Sequence, residues 1–290
     1  MSKRRIRRSA RFVAALVLAV GGLGGIFAST ASATTPGYVL AAADGGVFTF
    51  GRPFAGSMGG HRLNAPIKGV ATTGDGKGYW LAAADGGVFT FGSARYFGSM
   101  GGTPLNQPVV GIASTSDGRG YWLVSSDGGV FAFGDARFFG SLSGAHVLAP
   151  VIGITSTGSG KGYWLLTTEG EAFSFGDATA PGGPPAIELS GEHFDFVGIT
   201  PVAGTDRAFE AVTAPGQLFT TAAGSGTFSC GSQPALHGRA PIVGVAGAIG
   251  TCQSGWLAAS DGGVFAIGRR FLGSMGGARL NAPVVGIAGS

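Results

Sequence analysis

The residues in this sequence that could do chemistry and recur most regularly are aspartates that precede paired glycines. They are Asp44, Asp85, Asp127 and Asp261. An acidic residue followed by two glycines can hold a metal ion, cradle a phosphate or turn a hairpin. A calcium loop needs several oxygen donors at short spacing, whereas Asp-Gly between alternating apolar residues is the strongest short hairpin signal. The pattern therefore predicts a two-residue turn at each position, with no metal site and no cofactor.

Arginines beside aromatic residues form a second recurrent motif, a few residues after the hairpins. They are Arg52, Arg95, Arg137 and Arg270, in the stretches RPF, ARYF, ARFF and RRFL. One interpretation is a charged outer edge that discourages pairing between sheets. The other is a basic and aromatic rim for anionic glycans. We take Arg95, Arg137 and Arg270 as candidate binding residues.

Acidic residues are concentrated between positions 169 and 210, a stretch that contains eight acidic residues and one basic residue. This divergent sector extends to about residue 227. Either the sequence of these repeats has diverged without a functional reason, or this side of the fold carries an acidic patch for a cation or a basic partner. An extracellular hydrolase or lyase acting on polysaccharide is the alternative function, since two converging carboxylates can perform acid–base chemistry. The candidate catalytic residues for that alternative are Glu188, Glu192, His193 and Asp195.

Two cysteines occur, Cys230 and Cys252. In an exported protein such a pair predicts a disulfide, with two free buried thiols as the alternative. The bridge would close a loop of about 20 residues and contribute about 3 kcal/mol through chain entropy.

The first 33 residues have the pattern of a cleaved secretory signal peptide. A basic stretch precedes an apolar run from Phe12 to Ala28, and Ala31-Ser32-Ala33 supplies small residues for cleavage. An uncleaved anchor is the alternative, and paired arginines leave the Sec and twin-arginine routes open. The rest of the chain has 13 basic and 15 acidic residues, which gives no electrostatic case for nucleic acid. We expect a secreted protein, in the medium or at the cell wall, with no membrane span after cleavage.

The elements that must position these residues follow a repeat. Successive Asp-Gly-Gly elements, with Glu169 and Pro215 as substitutes for aspartate, lie 41, 42, 42, 46 and 46 residues apart. The glycine of VVGI-like segments also occurs six times. Four short apolar strand candidates in a repeat of this length, without helical periodicity, are typical of a propeller blade. A β-solenoid is the alternative, although its rungs are usually shorter.

Residues 34–290 are therefore expected to form one all-β domain, a six-bladed β-propeller of four-stranded blades. The repeat begins at GYVLAAADGG without a preceding VVGI strand and ends on APVVGIAGS, a VVGI strand with no following partner. Pairing of this last strand with the first hairpin would complete the sixth blade. It would close the ring and remove an open sheet edge.

Tryptophan is confined to one position of the repeat. The four residues are Trp80, Trp122, Trp164 and Trp256. Such rings could stack on sugars, but a repeated tryptophan at one strand position favours packing between blades.

Two stretches, GYWLVSSDGGVFAFGDARFFGSLSG and LNAPVVGIAGS, resemble the Gly-Tyr-Trp/Asp-Gly-Gly repeats of secreted actinobacterial proteins, whose function is mostly unassigned. The likeness covers nearly the whole chain after the signal and is weakest from about Pro181 to Thr227. A more distant likeness links DGGVFAFGD and VIGI to the regulator-of-chromosome-condensation repeat. These resemblances imply a propeller and export, and they imply no catalytic residue.

The expected function is binding rather than catalysis. Propellers usually place ligands at the ends of the central channel, where the GG…LNAP connections would lie. Their asparagines, candidate binding residues, are Asn64, Asn106 and Asn281. We expect a ligand- or partner-binding module for a glycan or a protein outside the cell.

Overall fold

The computed structural model describes residues 36–145, 147–179, 194–203, 205, 207–222, 226–232, 240–247 and 255–289, and for 222 and 226–232 the backbone only. These described residues form nineteen strands and no helix. The expected all-β class is confirmed.

The strands form six antiparallel sheets, which we call blades 1 to 6. Blade 1 contains β1 (Tyr38–Ala42), β2 (Val47–Phe50) and β19 (Val284–Gly289). Blade 2 contains β3 (Ile67–Thr72), β4 (Gly78–Ala83) and β5 (Val88–Gly92), and blade 3 contains β6 (Val109–Ser114), β7 (Gly120–Ser125) and β8 (Val130–Gly134). Blade 4 contains β9 (Val151–Ser156), β10 (Gly162–Thr167) and β11 (Ala172–Gly176). Blade 5 contains β12 (Phe196–Pro201), β13 (Phe209–Thr213), β14 (Gln217–Ala222) and β15 (Gly226–Ser232), and blade 6 contains β16 (Ile242–Ala246), β17 (Gly255–Ala259) and β18 (Val264–Ile267).

One strand of each blade lies beside the corresponding strands of two other blades, and we call these the inner strands. They follow the order β3, β6, β9, β12, β16 and β19, and β19 lies next to β3 again. Glycine permits these inner strands to lie close together. A Cβ atom on Gly69 would lie 3.3 Å from the Gly111 Cα, and one on Gly111 would lie 3.3 Å from the Gly153 Cα. The glycine of the VVGI-like segments therefore marks the crowded centre of the fold.

Two cavities, of about 170 and 100 Å³, lie among the inner strands. One apolar side chain from each inner strand lines both of them. These six side chains belong to Val70, Ile112, Ile154, Ile199, Val245 and Ile287. The central space is thus narrowed by branched aliphatic groups, which face one another from six different blades.

The middle strands are buried on both faces because the neighbouring blades pack against them. Every residue of β4, β7 and β10 is buried. In β4, the Trp80 ring lies 5.8 Å from the Tyr121 ring of blade 3, whereas Leu81 on the other face packs in one cluster with Val39 of blade 1. All four tryptophans are at most 1% exposed, which confirms that they pack between blades.

The Asp-Gly-Gly elements form hairpin turns, but these turns are longer than the two residues predicted. Four residues separate β1 from β2, and only the first glycine is needed in the left-handed region, with a φ of 82° at Gly45. The Asp44 carboxylate accepts a hydrogen bond of 2.9 Å from the Gly46 amide. The glycines after Glu169 and Pro215 keep a positive φ as well, so the turn forms without aspartate.

The fourth strand expected in each blade forms in blade 5, as β15, and is absent from the described fourth segments of blades 1, 2, 3 and 6. In blade 2 this segment bonds to side chains instead. The Trp80 Nε1 donates to the Arg95 carbonyl at 2.8 Å. The Tyr121 hydroxyl of blade 3 donates to the Gly98 carbonyl at 2.5 Å and accepts from the Phe97 amide at 3.2 Å. The prediction of four strands was wrong in these blades because side chains satisfy the backbone groups that a ladder would have used.

The C-terminal strand pairs with the N-terminal hairpin. In this antiparallel ladder Tyr38 lies opposite Gly289, and Ala42 lies opposite Val284. The Tyr38 hydroxyl donates to the Gly273 carbonyl of blade 6, as the Tyr121 hydroxyl does to blade 2. The junction between blades 6 and 1 therefore uses the same tyrosine hydrogen bond as the junction between blades 2 and 3.

Candidate functional site

Four aromatic side chains are exposed at one position of the repeat, and we call them the aromatic belt. They are Phe54, Tyr96, Phe138 and Phe271. Each lies in a fourth segment, two residues before the glycine that accepts the tyrosine hydrogen bond. Between 56% and 61% of each residue is exposed. The belt spans blades 6, 1, 2 and 3, which are consecutive in the order of the inner strands.

The fold does not account for the aromatic character of these positions. The residue after each belt ring is half-buried and yet varies in type, as Ala55, Phe97, Phe139 and Leu272. A packed position normally tolerates fewer residue types than an exposed one, because a buried side chain must fit its neighbours. Here the exposed position keeps an aromatic ring while the packed position changes. This contrast makes the belt a candidate contact surface.

A groove of about 270 Å³ lies between blades 2 and 3, beside the belt ring of Phe138. We call it the inter-blade groove. One wall is the loop from blade 2 to blade 3, which includes Asn106. The other wall comes from the hairpin and fourth segment of blade 3 and includes Asp127 and Ser141. The groove thus combines an aromatic face with amide, hydroxyl and carboxylate groups.

Asp127 is the one ionisable side chain among the residues that line this groove, all of which the structure describes. Its Oδ1 accepts hydrogen bonds from the Ser125 hydroxyl and from the Gly129 amide, the latter at 3.1 Å. The carboxylate therefore stabilises its own turn and gives the groove acidic rather than basic character.

The six candidate binding residues from the sequence, Asn64, Asn106, Asn281, Arg95, Arg137 and Arg270, are all exposed. Asn106 is the one that lines the inter-blade groove, together with the Phe138 ring. The three arginines use their backbone carbonyls to accept the tryptophan Nε1 of their own blade, at 2.8 to 3.0 Å. Sequence reasoning missed the belt rings themselves, although the constancy of the aromatic beside a variable neighbour was a usable signal.

Other carboxylates lie at the turns between inner and middle strands. In blade 3, the Thr115 hydroxyl donates to Asp117 at 2.9 Å and lies 3.3 Å from the Asp135 Oδ1. Burial, followed by the neighbouring Asp117, raises the pKa of Asp135. The pKa of Asp117 is lowered, first by the hydrogen bond from the Arg119 amide.

The equivalent turns of blades 2 and 4 have one carboxylate and one serine. The Ser93 hydroxyl donates to Asp75 at 2.8 Å, and the Ser159 hydroxyl donates to Asp177 at 2.6 Å. The pKa of Asp75 is lowered, chiefly by a hydrogen bond from the Thr73 hydroxyl. These groups hold their own turns in shape, and blade 3 alone of the three carries two acids there.

Of the four residues of the alternative catalytic site, the structure describes one, Asp195. Glu188, Glu192 and His193 lie outside the described residues. Asp195 is described and exposed, and its carbonyl accepts a hydrogen bond from the Ala214 amide at 2.9 Å. The Cys230 side chain and Cys252 also lie outside the described part, so the disulfide stays a prediction.

Within the described ranges, no group of three or more His, Cys, Asp or Glu side chains is placed to hold a metal ion. The same part of the chain includes no helix with the length and hydropathy needed to span a membrane.

Comparison with known proteins supports the fold. No family model matches the sequence, and no curated protein matches it. The structure is similar to a chain in the crystal structure of a nidogen/laminin complex, with a TM-score of 0.57 and 11% sequence identity, over 87% of this chain and 97% of that chain. The likeness supports a propeller-like arrangement of the six sheets. The resemblance to the actinobacterial repeat family stays an expectation.

Proposed function

We propose that this chain is a secreted, non-enzymatic β-propeller that binds a partner at the cell surface or in the surrounding medium. In this proposal residues 1–33 are a signal peptide that is removed, and residues 34–290 form one propeller of six blades closed by the pairing of β19 with β1. The observation that carries the binding function is the aromatic belt, four rings that are exposed at a position where the fold does not require them.

Two further observations support the proposal. The belt is repeated on consecutive blades, which suits a partner that contacts several equivalent positions at once. The similar chain comes from the crystal structure of a nidogen/laminin complex, which is consistent with a propeller that binds another macromolecule.

The experiment is a sedimentation assay with the tagged chain from residue 34 onward and washed cells of the source organism. Replacement of the belt rings by serine (Phe54→Ser, Tyr96→Ser, Phe138→Ser and Phe271→Ser together) should reduce the bound fraction by about tenfold or more, since central aromatic groups dominate binding energy at interfaces. The matched control is Leu148→Ser, at a side chain that is 90% exposed but outside the belt. It should bind like the wild type. Equal retention of the wild type and the belt variant would contradict the proposal.

Export is tested separately by expression of the full chain with a C-terminal tag. The tag should appear in the medium or on washed cells, on a protein that has lost residues 1–33. Recovery of the uncleaved chain inside the cells would contradict export.

A further inference from the structure

We propose that the inter-blade groove binds a neutral pyranose unit of a polysaccharide, and that two further blade junctions repeat this site. The inference rests on the proposed function and names the class of partner. It concerns the belt ring of one blade and the loop asparagine of the preceding blade.

The asparagine and the aromatic ring occur together at three successive blade junctions. The pairs across successive blades are Asn281 with Phe54, Asn64 with Tyr96, and Asn106 with Phe138. At the next junction both are lost, because Leu148 takes the place of the asparagine and Ala180 that of the ring. At these four junctions the two positions either both keep their residue types or both lose them, whereas at the junction before Phe271 the ring is kept and Arg239 takes the place of the asparagine. A shared ligand explains this, because each position contributes one wall of the groove that the structure shows between blades 2 and 3.

The loop itself does not require asparagine. The chain bends in the same way at Asn64, Asn106, Asn281 and Leu148, so the bend also forms with a leucine. Within the described residues, none of the three asparagine side chains donates to or accepts from another protein group. Their exposed amides are therefore available to a ligand, each with two donors and an acceptor.

The lining of the groove matches the two kinds of surface on a pyranose. The faces of the sugar ring carry C–H groups that pack on an aromatic face, here that of Phe138. Its edge carries hydroxyls, which can donate to the Asp127 carboxylate and accept from the Asn106 amide. Ser141 and Ser143 add hydroxyl groups on the same side of the groove. A few convergent polar groups beside an apolar wall are typical of a small-molecule site.

Charge and size narrow the ligand further. Asp127 is the one ionisable group in the lining, so a carboxylate or sulfate on the sugar would be repelled from the groove. The volume of about 270 Å³ lies just below the usual range of about 300–1,000 Å³ for larger ligands. The groove therefore has room for one sugar ring of a polymer rather than for a whole oligosaccharide. Repetition at three junctions then allows one polysaccharide to bind by avidity.

The test is affinity electrophoresis of the chain from residue 34 onward in native gels that contain one soluble polymer each: dextran, mannan, galactan, xylan or polygalacturonate. At least one of the four neutral polymers should retard the protein, in concentrated salt as well as in dilute salt. Phe138→Ala should weaken the retardation by about threefold to tenfold, which corresponds to the energy of one aromatic contact. The triple variant Asn64→Leu, Asn106→Leu, Asn281→Leu copies the junction that lost its pair and should abolish the retardation.

The matched control is Leu148→Asn, which adds an amide at the junction without a ring and should leave the retardation unchanged. Retardation by none of the neutral polymers, or equal retardation of the wild type and the triple asparagine variant, would overturn the sugar inference. So would retardation by polygalacturonate alone that disappears in salt. Belt-dependent retention on cells combined with any of these results would leave the proposed function intact, with a non-sugar partner.

Discussion

At the scale of single residues, the repeat shows how one polar position is filled in different ways. Each described turn after an inner strand of blades 2, 3 and 4 has a threonine hydroxyl and two further polar side chains. In blade 3 both of these are acids, Asp117 and Asp135, and the one Thr115 hydroxyl proton cannot serve both carboxylates. In blade 4 the pair is Ser159 with Asp177, and the serine donates to the acid. The blade 3 turn is therefore the less favourable one when both acids are ionised.

Asp135→Ser should stabilise the protein at neutral pH. Because the folded state raises the pKa of Asp135, this group favours folding at a pH below the ordinary aspartate pKa, and that contribution is lost as the pH rises through the folded pKa. Its replacement by serine should raise the melting temperature by about 1–2 °C at pH 7. The gain should disappear in acid.

The control for this measurement is Asp177→Ser in blade 4. It removes a carboxylate that accepts from the Ser159 and Thr157 hydroxyls with no second acid beside it, so it should lower the melting temperature at pH 7. Thermal unfolding of both variants from pH 3 to pH 7 makes the comparison. A change of the same sign for both at pH 7 would contradict the account of the blade 3 pair.

At the scale of elements, the tyrosine hydrogen bond joins one blade to the fourth segment of the preceding blade. Tyrosine is the first or second residue of the middle strand wherever that segment contains a GSM or GSL motif, at Tyr38, Tyr79, Tyr121 and Tyr163. Phe209 and Gly255 take its place after blades 4 and 5, whose sequences lack the motif. The tyrosine thus occurs only where the fourth segment of the preceding blade carries the motif.

Tyr121→Phe should lower the free energy of unfolding by about 1–3 kcal/mol, because it leaves the Gly98 carbonyl and the Phe97 amide without their partner. The Tyr121 ring is fully buried, so its packing is unchanged by the substitution. Tyr96→Phe is the control, since that hydroxyl is exposed and bonds to the Ser99 hydroxyl. It should change the free energy by less than about 0.5 kcal/mol. Urea unfolding of both variants measures the difference, and equal effects would refute this role of Tyr121.

The same element shows what the sequence could and could not reveal. Period, hairpin turns and the tryptophan core are local or repeated signals, so they were predictable from residue types alone. The fourth strand was not, because its segment has strand-like composition while its hydrogen-bond partner, the Tyr121 hydroxyl, lies in the next repeat. The site was predictable in part. Asn106 was identified by its place in the loop. Tyr96 and Phe97 differ in exposure, 59% against half-buried, and adjacent aromatics within one repeat do not reveal which of them faces outward, whereas the comparison of four repeats shows which position stays aromatic.

At the scale of the whole molecule, the first described hairpin and the last described strand complete one blade. β19 supplies the inner strand of blade 1 and lies between the inner strands of blades 6 and 2. Ile287 of β19 packs in one cluster with Tyr38 and Trp256. Loss of β19 would leave β1 with an unpaired edge. It would also remove Ile287, one of the six side chains that narrow the centre. Stability of this arrangement therefore depends on a strand that is last in the chain but central in the fold.

Truncation after residue 280 should abolish the cooperative thermal unfolding transition of the whole domain, because both junctions of blade 1 lose their inner strand. A synthetic peptide covering residues 281–290 should restore the transition when added in excess, by addition of a strand to the free edge of β1. The same peptide with Ile287→Asp places a charge in the cluster formed with Tyr38 and Trp256 and should fail to restore it. Circular dichroism melts of the truncated chain with each peptide make the measurement. A truncated chain that melts like the full chain would show that the six blades hold together without β19, and equal rescue by both peptides would show that Ile287 does not anchor this strand.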